Sequence, residues 1–288
     1  MLLVLLAYAA APGFTADGIF FSQHDGKPDR YYPFPVIEPL DTEPARDGSG
    51  LVFINTSVYE VNRDNLFKIR VEFSVDGPEG PWHKCWLVDD EVIVRQKKAA
   101  DINNRKQYQI GSKRPLYVAL AGTILYVVWD TRNAGNGLDI SALSADDVYV
   151  RMKFRFKGKY ERITRNLVGF SIDNKEPEPP DSLEFREITW DNNLVLDLGR
   201  HGFDRNFREY VVYYSDKRNV SGKDMPHGPE QDINLGRLDF NGAGTTAIAG
   251  LEPNKRYYMN IWIYDEFGNS ARGKEISVFM REYRDTLE

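Results

Sequence analysis

The chain has 288 residues, with 43 Asp and Glu against 37 Lys and Arg, for a formal charge of −6. An apolar content of 42% and an aromatic content of 13% support real cores and exclude a disordered chain, a coiled coil and a collagen-like fibre. A single cysteine, Cys85, and the scattered His24, His83, His201 and His227 exclude a disulfide framework, a Cys-rich zinc site and an HExxH centre.

Residues 2–11 read LLVLLAYAAA. The run is too short to cross a bilayer, which needs about 20 apolar residues, and it fits the core of an export signal. Ala11, Pro12 and Gly13 supply small side chains for cleavage before Phe14, with Ala16 a second option, so 1–16 is expected to be a signal peptide. No Lys or Arg precedes the run, and the first is Lys27. Export without disulfides suits a bacterial envelope or secreted protein, so a periplasmic, cell-surface or extracellular location is expected, with no transmembrane span.

Residues 17–50 form a Pro- and aromatic-rich arm. Pro28, Pro33, Pro35, Pro39 and Pro44 exclude a helix and favour extended geometry. Phe20, Phe21, Tyr31, Tyr32 and Phe34 give it more apolar surface than a solvated linker carries. Two readings stay open: the arm packs on its own first domain, or it docks on a partner by strand addition.

From residue 51 the pattern is strand after strand. Phe67, Ile69, Val71 and Phe73 alternate with polar residues, as do Val148, Val150, Met152, Phe154 and Phe156. Ile124 to Trp129 is a continuous apolar run that fits a buried strand. No amphipathic helix of useful length appears. The connector Lys175-Glu176-Pro177-Glu178-Pro179-Pro180 marks a boundary. The fold class is all-β, with two tandem antiparallel β-sandwiches, at 51–174 and 181–288, behind an extended N-terminal arm.

Residues 66–174 resemble the Ig-like repeats of bacterial secreted proteins. The resemblance rests on Phe73-Ser74-Val75-Asp76-Gly77, Trp82, Gly122-Thr123, Val127-Val128-Trp129-Asp130, Val148-Tyr149-Val150-Arg151 and Phe170-Ser171-Ile172-Asp173-Asn174, in that order. Residues 181–280 resemble a fibronectin type III domain, through Leu194, Leu196 and Leu198, the strand Tyr210 to Ser215, and Leu251-x-Pro253-x-x-x-Tyr257. The resemblance implies structural roles for Trp82, Trp129 and Tyr257, the last as a tyrosine corner. The chain departs from the second family in placing Leu198 where Trp is usual, with Trp190 earlier, and in a long insertion at 216–244.

Little here points to catalysis. His83 and Cys85 share a strand face, but i and i+2 positions sit about 6–7 Å apart, too far for a catalytic hydrogen bond. Asp89-Asp90 and Asp146-Asp147 lie in turn-like stretches rather than across a cleft. No P-loop, dinucleotide fingerprint or G-x-S-x-G occurs, so no enzyme is expected. No cofactor is expected either. Asp130, Asn133, Asn136 and Asp139 could ligate Ca2+, but their spacing lacks the EF-hand pattern and favours solvated turn residues.

Charge is laid out unevenly. Residues 1–50 carry 3 basic and 7 acidic side chains, residues 51–175 carry 20 and 15, and residues 176–288 carry 14 and 21. The basic excess falls in 93–114, with Lys97, Lys98, Arg105 and Lys106, and in 151–165, where Arg151, Lys153, Arg155, Lys157 and Lys159 recur at i, i+2 and so project from one strand face. A solvated strand face is the plain reading; an anion- or partner-binding surface is the functional one. Nucleic acid is disfavoured, since the chain is acidic and lacks a recognition motif. By fold-level analogy, the resemblance implies a non-catalytic structural or adhesive subunit of a surface or extracellular assembly that binds other protein subunits or itself. A binder of an anionic glycan or envelope polymer and an accessory module of a hydrolase system stay open as alternatives.

Overall fold

A period-two apolar pattern needs a second sheet to cover it, and the chain supplies two such pairs of sheets. The computed structural model describes residues 35–59, 66–88, 93–94, 97–98, 101–113, 115–117, 122–156 and 160–281. The expected signal peptide, the arm residues Phe20, Phe21, Tyr31, Tyr32 and Phe34, and Lys157 and Lys159 lie outside the described residues.

The chain enters through two short strands, β1 (Val36–Ile37) and β2 (Asp41–Pro44), which pair antiparallel with the same flank of β3 (Leu51–Tyr59). The end of the Pro-rich segment is thus part of the first sandwich. Its prolines are tolerated because they lie at a sheet edge. Next come β4 (Leu66–Ser74), β5 (His83–Lys84), β6 (Ile93–Val94), β7 (Lys97–Lys98), β8 (Leu116–Tyr117), β9 (Thr123–Asp130), β10 (Ser144–Phe156), β11 (Tyr160–Arg165) and β12 (Phe170–Asp173). One sheet runs β1-β3-β9-β6-β7, and the facing sheet runs β11-β10-β4-β5. Antiparallel register places Phe73 opposite Val150, Val71 opposite Met152, Ile69 opposite Phe154 and Phe67 opposite Phe156, all in the core. Trp129 is fully buried and stacks on Phe73 at 4.6 Å.

The second sandwich comprises β13 (Glu184–Ile188), β14 (Leu194–Asp197), β15 (Phe207–Ser215), β16 (Met225–His227), β17 (Thr245–Ile248), β18 (Arg256–Asp265), β19 (Ser270–Arg272) and β20 (Ile276–Phe279). A β13-β14-β17 sheet faces a β16-β15-β18 sheet whose last edge is shared by β19 and β20. Leu194, Leu196, Leu198, Tyr210, Met259, Ile261 and Ile263 fill its core. The Tyr257 hydroxyl accepts from the Glu252 N–H at 3.0 Å, closing the turn before β18. Trp190 sits 77% exposed between β13 and β14. The long insertion contains two short 3-10 turns, and these bury Leu235 and Phe240 against the core.

Phe34–Glu288 forms one compact unit. No helix among the described residues is long and apolar enough to cross a membrane.

Candidate functional site

The register that buries Phe73 and Val71 turns Glu72, Arg70 and Lys68 outward, opposite Arg151, Lys153 and Arg155 on β10. Lys84 of β5 lies beside Glu72, and Arg165 of β11 lies beside Arg151. The outer face is therefore mainly cationic, with Glu72 at its middle and Glu161, opposite Arg155, on its β11 side. Arg70 Nη2 reaches Glu72 Oε1 at 2.7 Å, while Arg151 Nε and Lys153 Nζ reach Oε2 at 2.7 and 3.1 Å. The Glu72 side chain is 3% exposed, against 28% for Arg70, 19% for Arg151 and 21% for Lys153, so the cations roof it. Three positive charges meet one negative charge in a half-desolvated place, where Coulomb terms are strengthened.

Aromatic rings hold the cations in place. The Arg151 guanidinium lies 4.1 Å from the Trp82 ring centre, and that of Arg155 lies 5.5 Å from Tyr108. Trp82 is thus a half-buried platform just ahead of β5. Tyr108 donates to Glu161 at 2.6 Å; burial, and then that carboxylate, push its phenol pKa up. Lys84 Nζ donates to the Asn104 carbonyl at 2.5 Å, and burial, with Arg70 nearby, lowers its pKa. The buried Arg70 Nε has no hydrogen-bond partner. Arg105 and Lys106 sit exposed in a turn closed by Asn103. The same loop borders the face through Asn104 and Tyr108. Lys97 and Lys98 form β7, in the opposite sheet.

Sequence reasoning missed Glu72, Arg70 and Lys84. The alternation of Arg70 and Glu72 along β4 was visible, but which strands would lie beside them was not.

The other expected chemistry is absorbed by structure. The Cys85 thiol is buried, and burial, with Glu72 adding, pushes its pKa well up, the reverse of nucleophile activation. Asn136 Oδ1 accepts from Trp86 N at 2.6 Å and Trp129 Nε1 at 2.9 Å, while its Nδ2 donates to the carbonyls of Asp130, Thr131 and Asn133. Asn133 caps Gly135 N, Asp130 accepts from Arg132 N, and Asp139 accepts from Ser141. The side-chain oxygens of Asp130, Asn133 and Asp139 therefore bond within their own turns, and that of Asn136 bonds to Trp86 and Trp129.

A different set of carboxylates converges where the two sandwiches meet. Asp173 ends β12, Asp204 precedes β15 and Asp265 ends β18; all three are buried and offer oxygens within 4.8 Å of one another. Such a donor set could hold a hard cation. Asn206 Nδ2 donates to Asp173 Oδ2 at 2.5 Å, and Asn269 Nδ2 donates to the Asp173 carbonyl at 2.9 Å and to Asp265 Oδ2 at 2.6 Å. Arg132 reaches the Asn269 side-chain oxygen. Arg205 holds Ser144 and Asp146 at 2.7 and 2.8 Å. Gly48 N donates to the Phe267 carbonyl at 2.8 Å, and Arg46 lies 5.1 Å from the Phe267 ring centre.

Burial, with Asp173 adding, pushes the Asp204 carboxyl up against the pull of the Asn206 amide, Lys175 and Arg205. Burial also raises Asp265, offset by Asn269 and Phe267. Acids with raised folded pKa values bind more protons in the folded state than unfolded. Stability is therefore higher at the acidic end of the window above the ordinary aspartate value and falls as pH rises through the folded values. Asp204→Asn keeps the acceptor for Asn206 but removes the charge. It is expected to raise the urea midpoint at pH 7 and to flatten its decline as pH rises from the ordinary aspartate value towards neutrality; an unchanged profile would refute the assignment.

No protein-family model matches the chain, and no curated protein matches it. Among solved structures, the FN1–FN3 domains of chicken CNTN1 align with a TM-score of 0.41 and 10% identity, over 84% of this chain and 67% of that one. A cytokine receptor complex aligns with a TM-score of 0.29 and 10% identity, over 83% of this chain and 95% of that one.

Proposed function

We propose that the chain is a non-catalytic, exported structural or adhesive subunit of a bacterial cell-surface or extracellular assembly, working through contacts with other protein subunits. In this reading residues 51–174 are a bacterial Ig-like repeat, 175–180 a connector and 181–288 a fibronectin type III-like domain. The observation that carries it is the junction. Two sandwiches used as separate binding domains need only a tether, whereas these are joined by direct backbone and buried side-chain bonds through Gly48, Asp173, Asn206 and Asn269. Such bonds oppose the relative motion that is the default for tethered domains, and a fixed angle between modules suits a subunit that repeats in an assembly.

The test is a distance measurement between spin labels on cysteines at Lys68→Cys and Lys223→Cys, one in each sandwich, with the buried Cys85 left in place. One narrow distribution is expected; a broad one would sink the reading. Fractionation of the native host, with the chain found in the envelope or medium, tests the export component separately.

A further inference from the structure

We infer that the cationic outer face of the first sandwich docks the acidic β13 edge of the second sandwich of another copy, so that copies associate head to tail. The inference deepens the assembly-subunit reading by naming the partner, a second copy of this chain.

Three observations carry it. The first is the excess charge on the face. Arg70, Arg151 and Lys153 share one buried Glu72, and exposed Lys68 lies in the same outward set. The second is the acidic edge: among the described residues β13 has no neighbour beyond β14 in its sheet, and it exposes Glu184 and Glu187 and has Asp197 opposite Glu184. Only Arg186 tempers it, through Asp197 at 3.2 Å. The third is apolar. Ile163 pairs with Lys153 and so stands on the cationic face, 54% exposed, while Phe185 on β13 and Trp190 in the following turn are 51% and 77% exposed. Each surface thus offers an apolar anchor within a field of charge, and the two fields are opposite in sign. Exposed aromatics within polar surroundings are the side chains on which protein interfaces concentrate binding energy, and opposed charge sets orientation.

The two surfaces lie on different sandwiches, so the contact is heterologous and leaves one of each surface free on every pair. A flexible joint would scatter successive copies; a fixed one repeats the same step. Nucleic acid fits the cationic face less well, because the Trp82 and Tyr108 rings that could stack bases are already covered by Arg151 and Arg155.

The experiment is sedimentation velocity on the full chain at 50 and 500 mM salt. Species larger than dimers are expected at low salt and monomers at high salt. Trp190→Ser and Ile163→Ser, both on exposed side chains, should each weaken association at least tenfold. Lys68→Glu alone and Glu187→Lys alone should each weaken it, and mixing the two variants should restore association, because the mixture again offers an unaltered cationic face to an unaltered acidic edge and pairs the two reversed charges with each other. A monomer at 50 mM salt, a closed dimer that never grows, or oligomers indifferent to Trp190→Ser and Lys68→Glu would each overturn the inference. A chain that stays monomeric but keeps the narrow inter-sandwich distance and the envelope location would leave the assembly reading standing with a different partner.

Discussion

Gly268→Ala is expected to be strongly disruptive, because it combines a left-handed backbone with a close approach of backbone atoms. Gly268 adopts φ +83°, and a Cβ built there would sit 2.6 Å from both the Arg46 carbonyl oxygen and the Gly48 nitrogen. Those atoms are backbone and cannot swing aside. Gly48 is held by its bond to the Phe267 carbonyl and would itself place a Cβ 2.6 Å from the Gly268 oxygen. The methyl must therefore separate the sandwiches or distort the turn that aims the Asp265 carboxylate at the amides of Phe267 and Asn269. A loss of about 3 kcal/mol is expected, in the range of single changes that combine backbone strain with a lost buried network. Gly137→Ala is the control, because Gly137 has φ +73° but open space around its would-be Cβ. It should cost only the left-handed strain, about 1 kcal/mol. Urea titration reads both, and equal losses would show that the close approach is not what matters. The Gly268 variant should also broaden the spin-label distance distribution, and the Gly137 variant should not.

Glu72→Gln is the second large effect. The amide keeps the shape and one acceptor but leaves Arg70, Arg151 and Lys153 facing one another without a counter-charge. Removing the shared partner of a buried ion cluster costs about 3–5 kcal/mol, because charges are left desolvated and unpaired. The geometry also predicts an asymmetry. Lys153→Met leaves Glu72 with two guanidinium partners and relieves some repulsion among the cations, so its loss should stay within about 1 kcal/mol. In the double variant Lys153→Met should recover part of the Glu72→Gln loss. If Lys153→Met costs as much as Glu72→Gln, the excess of positive charge around Glu72 is not what governs this face.

The strands that carry these effects were legible in the residues themselves. Alternation at Phe67 to Phe73 and at Val148 to Phe156 identifies the two central strands and their inward sides, because a strand's faces alternate with a period of two. The outward sides were equally legible, so Arg151, Lys153 and Arg155 could be assigned to one face. Pairing was not. Glu72 and Arg151 are 79 positions apart in the chain, and nothing local says that they lie side by side. The same limit hid the junction. Asp173, Asp204 and Asp265 are far apart in sequence, each beside a turn, whereas the more conspicuous run from Asp130 to Asp139 is taken up by hydrogen bonds within its turn and, through Asn136, to Trp86 and Trp129. Proline misled in a different way. It correctly excluded a helix at 35–44 but gave no hint that Val36, Ile37 and Asp41 to Pro44 pair with β3, since edge strands tolerate proline and their partner lies downstream. The insertion at 216–244 stood out in sequence only by its length, yet Tyr210 reaches across to the Leu238 carbonyl at 2.9 Å and fastens it over the core.

The first sandwich holds the second at several places that are far apart along the chain, among them Arg46 to Gly48, ahead of β3, and Asp173, at the end of β12. A single covalent linker resists being stretched but lets its two ends rotate freely about it. Two separated grips, one on the Phe267–Asn269 turn and one beside Asn206, also oppose rotation, as a spanner with two jaws transmits torque where a string does not. Twisting one sandwich against the other must therefore break the Gly48–Phe267 hydrogen bond or the Asp173 contacts before the connector itself can yield.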